Sequence, residues 1–214
     1  MLLDGDGVRA WLGAFASAFR EQRAELDDLD RRSGDGDFGT NLGAAIDRAD
    51  VELATAAGAG EALGALATAC MAAGGTSGPL FGVWFRAFAR AASAGELDVA
   101  ALAAAAGAGL EAVSRLGGAQ PGDCTMVDAM APATEALGAA VERSAGLGEA
   151  LRSAAFAARE GADATADLIA RRGRASYVGE LARGVVDPGA VAVALFFEAA
   201  GGLEGGELGG IDHA

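Results

Sequence analysis

Apolar residues recur along this chain at helical spacing. Val8, Leu12, Phe15 and Phe19 fall at i, i+4, i+7 and i+11, and Leu42, Ile46, Ala49 and Leu53 repeat those intervals. Each set marks one face of a core-facing helix. The pattern continues through Ala62 to Ala73, then Leu80, Phe81, Trp84 and Phe88, then an Ala-rich stretch from Asp98 to Leu116. Next come Met126, Met130, Ala133, Leu137 and Val141, then Leu147 through Ile169, and last Val191 to Ala200. About eight helices follow, while β-branched and aromatic runs of strand type are nearly missing. Abundant Ala and Gly on the stripes permits short interaxial distances, so the expectation is an all-α, antiparallel assembly of closely packed helices. The aromatic and Met stripes read as core. No composition shift divides residues 1–200, which read as one domain; residues 201–214 read as a loosely held Gly-rich tail.

Composition narrows the chemistry. Thirty acidic residues stand against 16 basic ones, a net charge of −14, and every basic residue is Arg. Without Lys, neither a Walker-type phosphate loop nor a Schiff base is possible. The one imidazole, His213, lies next to the C-terminal residue, which argues against a Ser-His-Asp triad. Cys70 and Cys124 lack His or Cys neighbours at zinc-ligand spacing and read as small core residues in a reducing compartment. No basic segment followed by an apolar run opens the chain, so a cytoplasmic location is expected. The most apolar stretch, Val99 to Leu110, is shorter than the ~20 residues of a membrane span and reads as a packed helix. Strong negative charge disfavours nucleic acid and anionic membranes, and makes a metal ion the natural electropositive partner.

Four connections are longer and chemically richer than bundle turns. The first, Leu29 to Asn41, crowds Asp30, Asp35 and Asp37 among Gly34, Gly36 and Gly39. Glycines at positive φ would let the carboxylates converge, and converging carboxylates call for a cation. Oxygen-only ligands in an incomplete set suit Mg²⁺, which keeps waters and takes phosphate oxygens. An EF-hand does not fit, because position twelve counted from Asp35 is Ile46 rather than Glu. The second, Ala73 to Leu80, puts Gly74 and Gly75 beside Thr76 and Ser77 ahead of a helix starting near Pro79, a phosphate cradle without Lys. In the third, Gly117 to Met126, Asp123 and Thr125 could cap the next helix. The fourth, Arg171 to Gly189, gathers Arg171, Arg172, Arg174 and Arg183, then Asp187-Pro188-Gly189 at a helix start.

In order, these blocks resemble the nucleotide-binding L subunit, or L domain, of the dihydroxyacetone kinases. The blocks are Leu29-Asp30 with Gly34-Asp35-Gly36-Asp37; Gly74 to Gly82; Pro121-Gly122-Asp123 with Thr125 to Asp128; and Gly173 to Glu180 with Asp187 to Ala190. The resemblance implies a barrel of eight antiparallel α-helices whose loops at one end hold two Mg²⁺ ions and ADP or ATP. By resemblance Asp30, Asp35 and Asp37 are the metal ligands. Phe38, Gly39, Thr40, Asn41, Thr76, Ser77, Gly117, Thr125, Met126, Arg174, Asp187, Pro188 and Gly189 would line the nucleotide pocket, and no catalytic base is assigned to this chain.

The partners implied are a K subunit that holds dihydroxyacetone or a related short ketose and, in one form, a phosphocarrier of the phosphoenolpyruvate:sugar phosphotransferase system that recharges bound ADP. In the other form free ATP is consumed. A homodimer is also compatible with the resemblance. One position departs from the family loop, which usually reads Gly-Asp-Gly-Asp-His-Gly: residue 38 here is Phe. That departure keeps a non-catalytic nucleotide and metal sensor in view, beside a fatty-acid-kinase-like nucleotide domain.

Overall fold

The carboxylate of Asp4 accepts a hydrogen bond from the Gly7 N–H at 2.8 Å, satisfying one of the free donors at the start of the first helix. In the computed structural model, which describes residues 2–203, that helix, α1, runs Gly5–Ser33. It is followed by α2 (Phe38–Leu53), α3 (Ala59–Met71), α4 (Ser77–Ala94), α5 (Val99–Gly117), α6 (Val127–Glu142), α7 (Leu147–Ala164), the single turn α8 (Ala175–Val178) and α9 (Pro188–Gly201). Eight of these are long, as the apolar periodicity predicts, and the described residues contain no strand. The tail expected beyond residue 201 lies outside the described residues from position 204 onward, and His213 with it.

Each long helix packs on the next in sequence, and α9 packs against both α7 and α1, so the series closes into a ring. Short connections make α1 to α7 successively antiparallel, and a long connection through α8 then leads to α9. The last helix is buried from Pro188 through Phe197 without a polar face, which marks a helix surrounded by protein rather than a surface one. Phe196 is its centre, its ring 4.4 Å from that of Trp11 in a tilted stack and 4.9 Å from that of Trp84 in an edge-to-face contact. The Trp11 indole N–H donates to the Phe196 carbonyl at 2.7 Å, so this buried polar group is satisfied inside the aromatic core.

Helix α5 spans Val99–Gly117, as the stripe from Asp98 to Leu116 predicts, but its 19 residues are long and apolar enough by length and composition to cross a membrane, which corrects the length argument drawn from Val99 to Leu110 alone. It packs between α4 and α6, with Trp84 lying over Gly109. Helix α7 stops at Ala164 rather than near Ile169, because Thr165 turns its hydroxyl back onto the Ala162 carbonyl and the chain tightens into a 3₁₀ turn, Thr165–Asp167.

Candidate functional site

In an up-and-down ring, alternate connections emerge at the same end. The four chemically rich connections are those leading into α2, α4, α6 and α9, so all four meet there and enclose a cavity of about 540 Å³. The same parity brings four helix N-termini to that end, each with the positive end of its dipole facing the cavity. Thr76 before α4 provides no side-chain cap, which leaves first-turn N–H groups of that helix available to an anion, whereas the N–H groups of Val127, Asp128 and Ala129 at the start of α6 already bond to Thr125 and Met126.

The first connection is organised by Asp30, in the last turn of α1. Its Oδ2 accepts from the N–H groups of Gly36 and Asp37, both at 2.9 Å, and of Phe38 at 3.1 Å. This wraps residues 34–38 around one carboxylate. Ligand oxygens of Asp30, Asp35 and Asp37 then lie within 4.8 Å of one another. Of the three glycines expected at positive φ, only Gly36 has it, at +80°. Gly39 serves close approach instead: a Cβ there would stand 2.4 Å from the Arg23 carbonyl oxygen of α1. Arg174 of the fourth connection pairs with Asp35, setting a guanidinium against the acidic cluster.

Asp187 caps α9, accepting from the Ala190 N–H at 2.7 Å, while its own N–H donates to the Thr165 hydroxyl at 2.8 Å. Burial pushes its carboxyl up to about 7; the Ala190 hydrogen bond opposes this, and the nearby Asp128 and Asp30 carboxylates add to it. In the third connection the expected caps are rearranged. Asp128 accepts from the Gly122 and Thr125 N–H groups, and the Thr125 hydroxyl accepts from Val127 at 3.2 Å. Asp123 caps nothing on α6 and turns toward the fourth connection. Cys124, at φ 59°, lines the cavity and donates its thiol to the Thr165 carbonyl at 3.4 Å. Burial and two neighbouring carboxylates, Asp187 and Asp128, push that thiol up to about 12, which makes it a fixed donor and not a nucleophile.

Of the residues singled out in the sequence, Asp30, Asp35, Asp37, Phe38, Asn41, Thr76, Ser77, Gly117, Thr125, Met126, Arg174, Asp187, Pro188 and Gly189 line this cavity. Gly39 faces α1, and Thr40 donates its hydroxyl to Asp27 at 2.7 Å. Phe38 is buried with its ring 6.2 Å from that of Phe81, so it continues the aromatic core up to the cavity floor. Leu80, Val113 and Leu116 add an apolar wall, and Arg172 a charged one, that the sequence reading did not assign. The wall residues sit on helical stripes, where nothing distinguishes a core position from a cavity lining.

Residues 32–202 match the DAK2 domain. The chain belongs to the DAK2-domain family. It is 34% identical over 202 residues to the ADP-binding subunit DhaL of a PEP-dependent dihydroxyacetone kinase from Listeria innocua, covering 93% of this chain and 96% of that protein. It is 42% identical over 212 residues to an L-erythrulose 1-kinase of Mycolicibacterium smegmatis, covering 91% of this chain but only 35% of that protein. The DAK2 domain thus spans about a third of the length of the erythrulose kinase it matches. Among solved structures it resembles the dihydroxyacetone kinase of C. freundii in complex with AMP-PNP and Mg²⁺, with a TM-score of 0.69 at 27% identity, over 91% of this chain and 33% of that one.

Proposed function

We infer that this DAK2 domain is the nucleotide-bearing half of a short-ketose kinase. It holds ADP or ATP with Mg²⁺ and passes the phosphoryl group to a hydroxyl of dihydroxyacetone or erythrulose held on a separate K subunit. The observation that carries this reading is the meeting, in one cavity, of three converging carboxylates with the uncapped N-terminus of α4. The donor set fits a hard divalent cation: oxygen only, with the second oxygen of Asp30 already committed to the loop. Bound there, the metal would neutralise phosphate charge that otherwise resists attack.

The chain's own residues then have distinct tasks. Asp30, Asp35 and Asp37 offer the metal ligands. The N–H groups around Thr76 and Ser77 orient phosphate oxygens. Leu80, Val113 and Leu116 give an apolar surface for the base, and Pro188 and Gly189 close the cavity behind it. Arg174, placed beside Asp35, supplies positive charge next to the phosphates. No side chain here need remove the substrate proton, a task left to the K subunit. Two buried thiols with no disulfide agree with work in the cytoplasm.

Titration calorimetry with MgADP and MgATP tests the reading directly. Binding that needs Mg²⁺ and disappears in Asp35→Ala is expected. Absence of heat with either nucleotide would remove the reading. Turnover of dihydroxyacetone and erythrulose with added K subunit, using ATP or a phosphocarrier in turn, separates the acceptors and the donors.

A further inference from the structure

Asp123 is the one carboxylate among the buried polar residues of the described chain, at 7% exposure, and it does not line the cavity. A buried carboxylate is costly unless it is paired. Its partners come from two connections. Within its own loop, Oδ2 accepts from the Gln120 N–H at 3.0 Å. From the fourth connection, Arg172 donates Nε to the same oxygen at 3.4 Å, and the Arg171 guanidinium lies 3.9 Å from Oδ1. The backbone completes the clamp, with the Arg171 N–H donating to the Asp123 carbonyl at 3.0 Å.

Beyond this clamp the chain enters Gly173 and then Arg174, which meets Asp35. Arg174 has no other ion pair among the described residues, and the turn α8 that follows it has no buried residue. Besides the Arg174–Asp35 pair, the polar contacts that tie the segment from 171 to 178 to other connections, among the described residues, are those of Arg171 and Arg172 with Asp123. We propose that Asp123 is a positioning residue, which holds Arg171 and Arg172 so that Arg172 and Arg174 stand over the acidic cluster and the nucleotide site. This rests on the nucleotide reading for its effect on affinity, but not for its effect on the segment.

Asp123→Asn keeps an oxygen for the Gln120 N–H and removes the charge that holds the two arginines. Hydrogen–deuterium exchange on the full chain without nucleotide should rise in peptides covering 171–178 and stay unchanged in α1 and α9. Affinity for MgADP should fall by about tenfold to a hundredfold, the usual effect of losing a group that orients a ligand-contacting residue. Arg172→Gln should produce a similar loss, and the double variant should be little worse than Arg172→Gln alone, because the two act as one unit. Should Asp123→Asn fail to fold, Arg172→Gln, whose side chain is half exposed, carries the exchange test by itself. Unchanged exchange over 171–178, or losses that multiply in the double variant, would overturn the proposal. A wild-type chain that takes up no MgADP would overturn the nucleotide reading instead, with the exchange comparison still deciding on Asp123.

Discussion

The backbone N–H of Asp37 donates to Oδ2 of Asp30 at 2.9 Å, so one acidic residue of the cluster builds the loop that carries another. Asp30 holds three such N–H groups, whereas Asp35 and Asp37 hold none of the loop's backbone. Their substitutions should therefore differ in kind. Asp30→Ala is expected to lose metal-dependent nucleotide binding and also about 1–3 kcal/mol of stability, from backbone donors left without their acceptor. Asp35→Ala should lose the binding with little change in melting temperature. Thermal melts beside Mg²⁺ titrations check the pair, and equal melting temperatures would contradict this division of roles.

Trp11→Phe isolates the indole hydrogen bond inside the core. The ring stacking on Phe196 can persist, but the Phe196 carbonyl loses its buried donor. A loss of about 1–3 kcal/mol in urea unfolding is expected, with nucleotide affinity unchanged because neither residue lines the cavity.

Asp187 makes stability depend on pH in an unusual direction. Its folded carboxyl sits near 7, above the ordinary value of 3.8, so the folded chain keeps a proton that the unfolded chain releases. Stability from this group is fully present below about pH 4 and is lost as pH rises toward 7. Asp187→Asn retains an oxygen for the Ala190 N–H and carries no charge. Relative to the parent chain it should gain stability at pH 8 and gain little at pH 4, measured by denaturation without metal.

Gly39→Ala distinguishes packing from ligand contact. A Cβ would press on the Arg23 carbonyl, so α2 must move away from α1. The expected result is a destabilisation of about 1–3 kcal/mol by differential scanning calorimetry, as for other overpacked positions. MgADP affinity at a temperature where both proteins are folded should change less than tenfold.

Much of this molecule was legible in the order of its residues. Stripes such as Val8, Leu12, Phe15 and Phe19 identify helices because the α-helix repeats every 3.6 residues whatever surrounds it. The four Gly-rich connections announced themselves because only loops need such backbone freedom, and Asp30, Asp35 and Asp37 because like charges are rarely set so close without a cation. Antiparallel alternation of eight helices was enough to bring the first, third, fifth and seventh connections to one end. What the sequence could not decide was which oxygen of Asp30 builds the loop, or that Gly39 serves packing. It was equally silent on Asp123 reaching Arg171 and Arg172, and on Leu80, Val113 and Leu116 turning to a cavity. The first two are loop and packing contacts close in the chain, the others join residues far apart in it, and periodicity carries no information about which neighbour a side chain meets. Tertiary packing of the helices settled them, by fixing the distance between residues and connections that the sequence treats as independent.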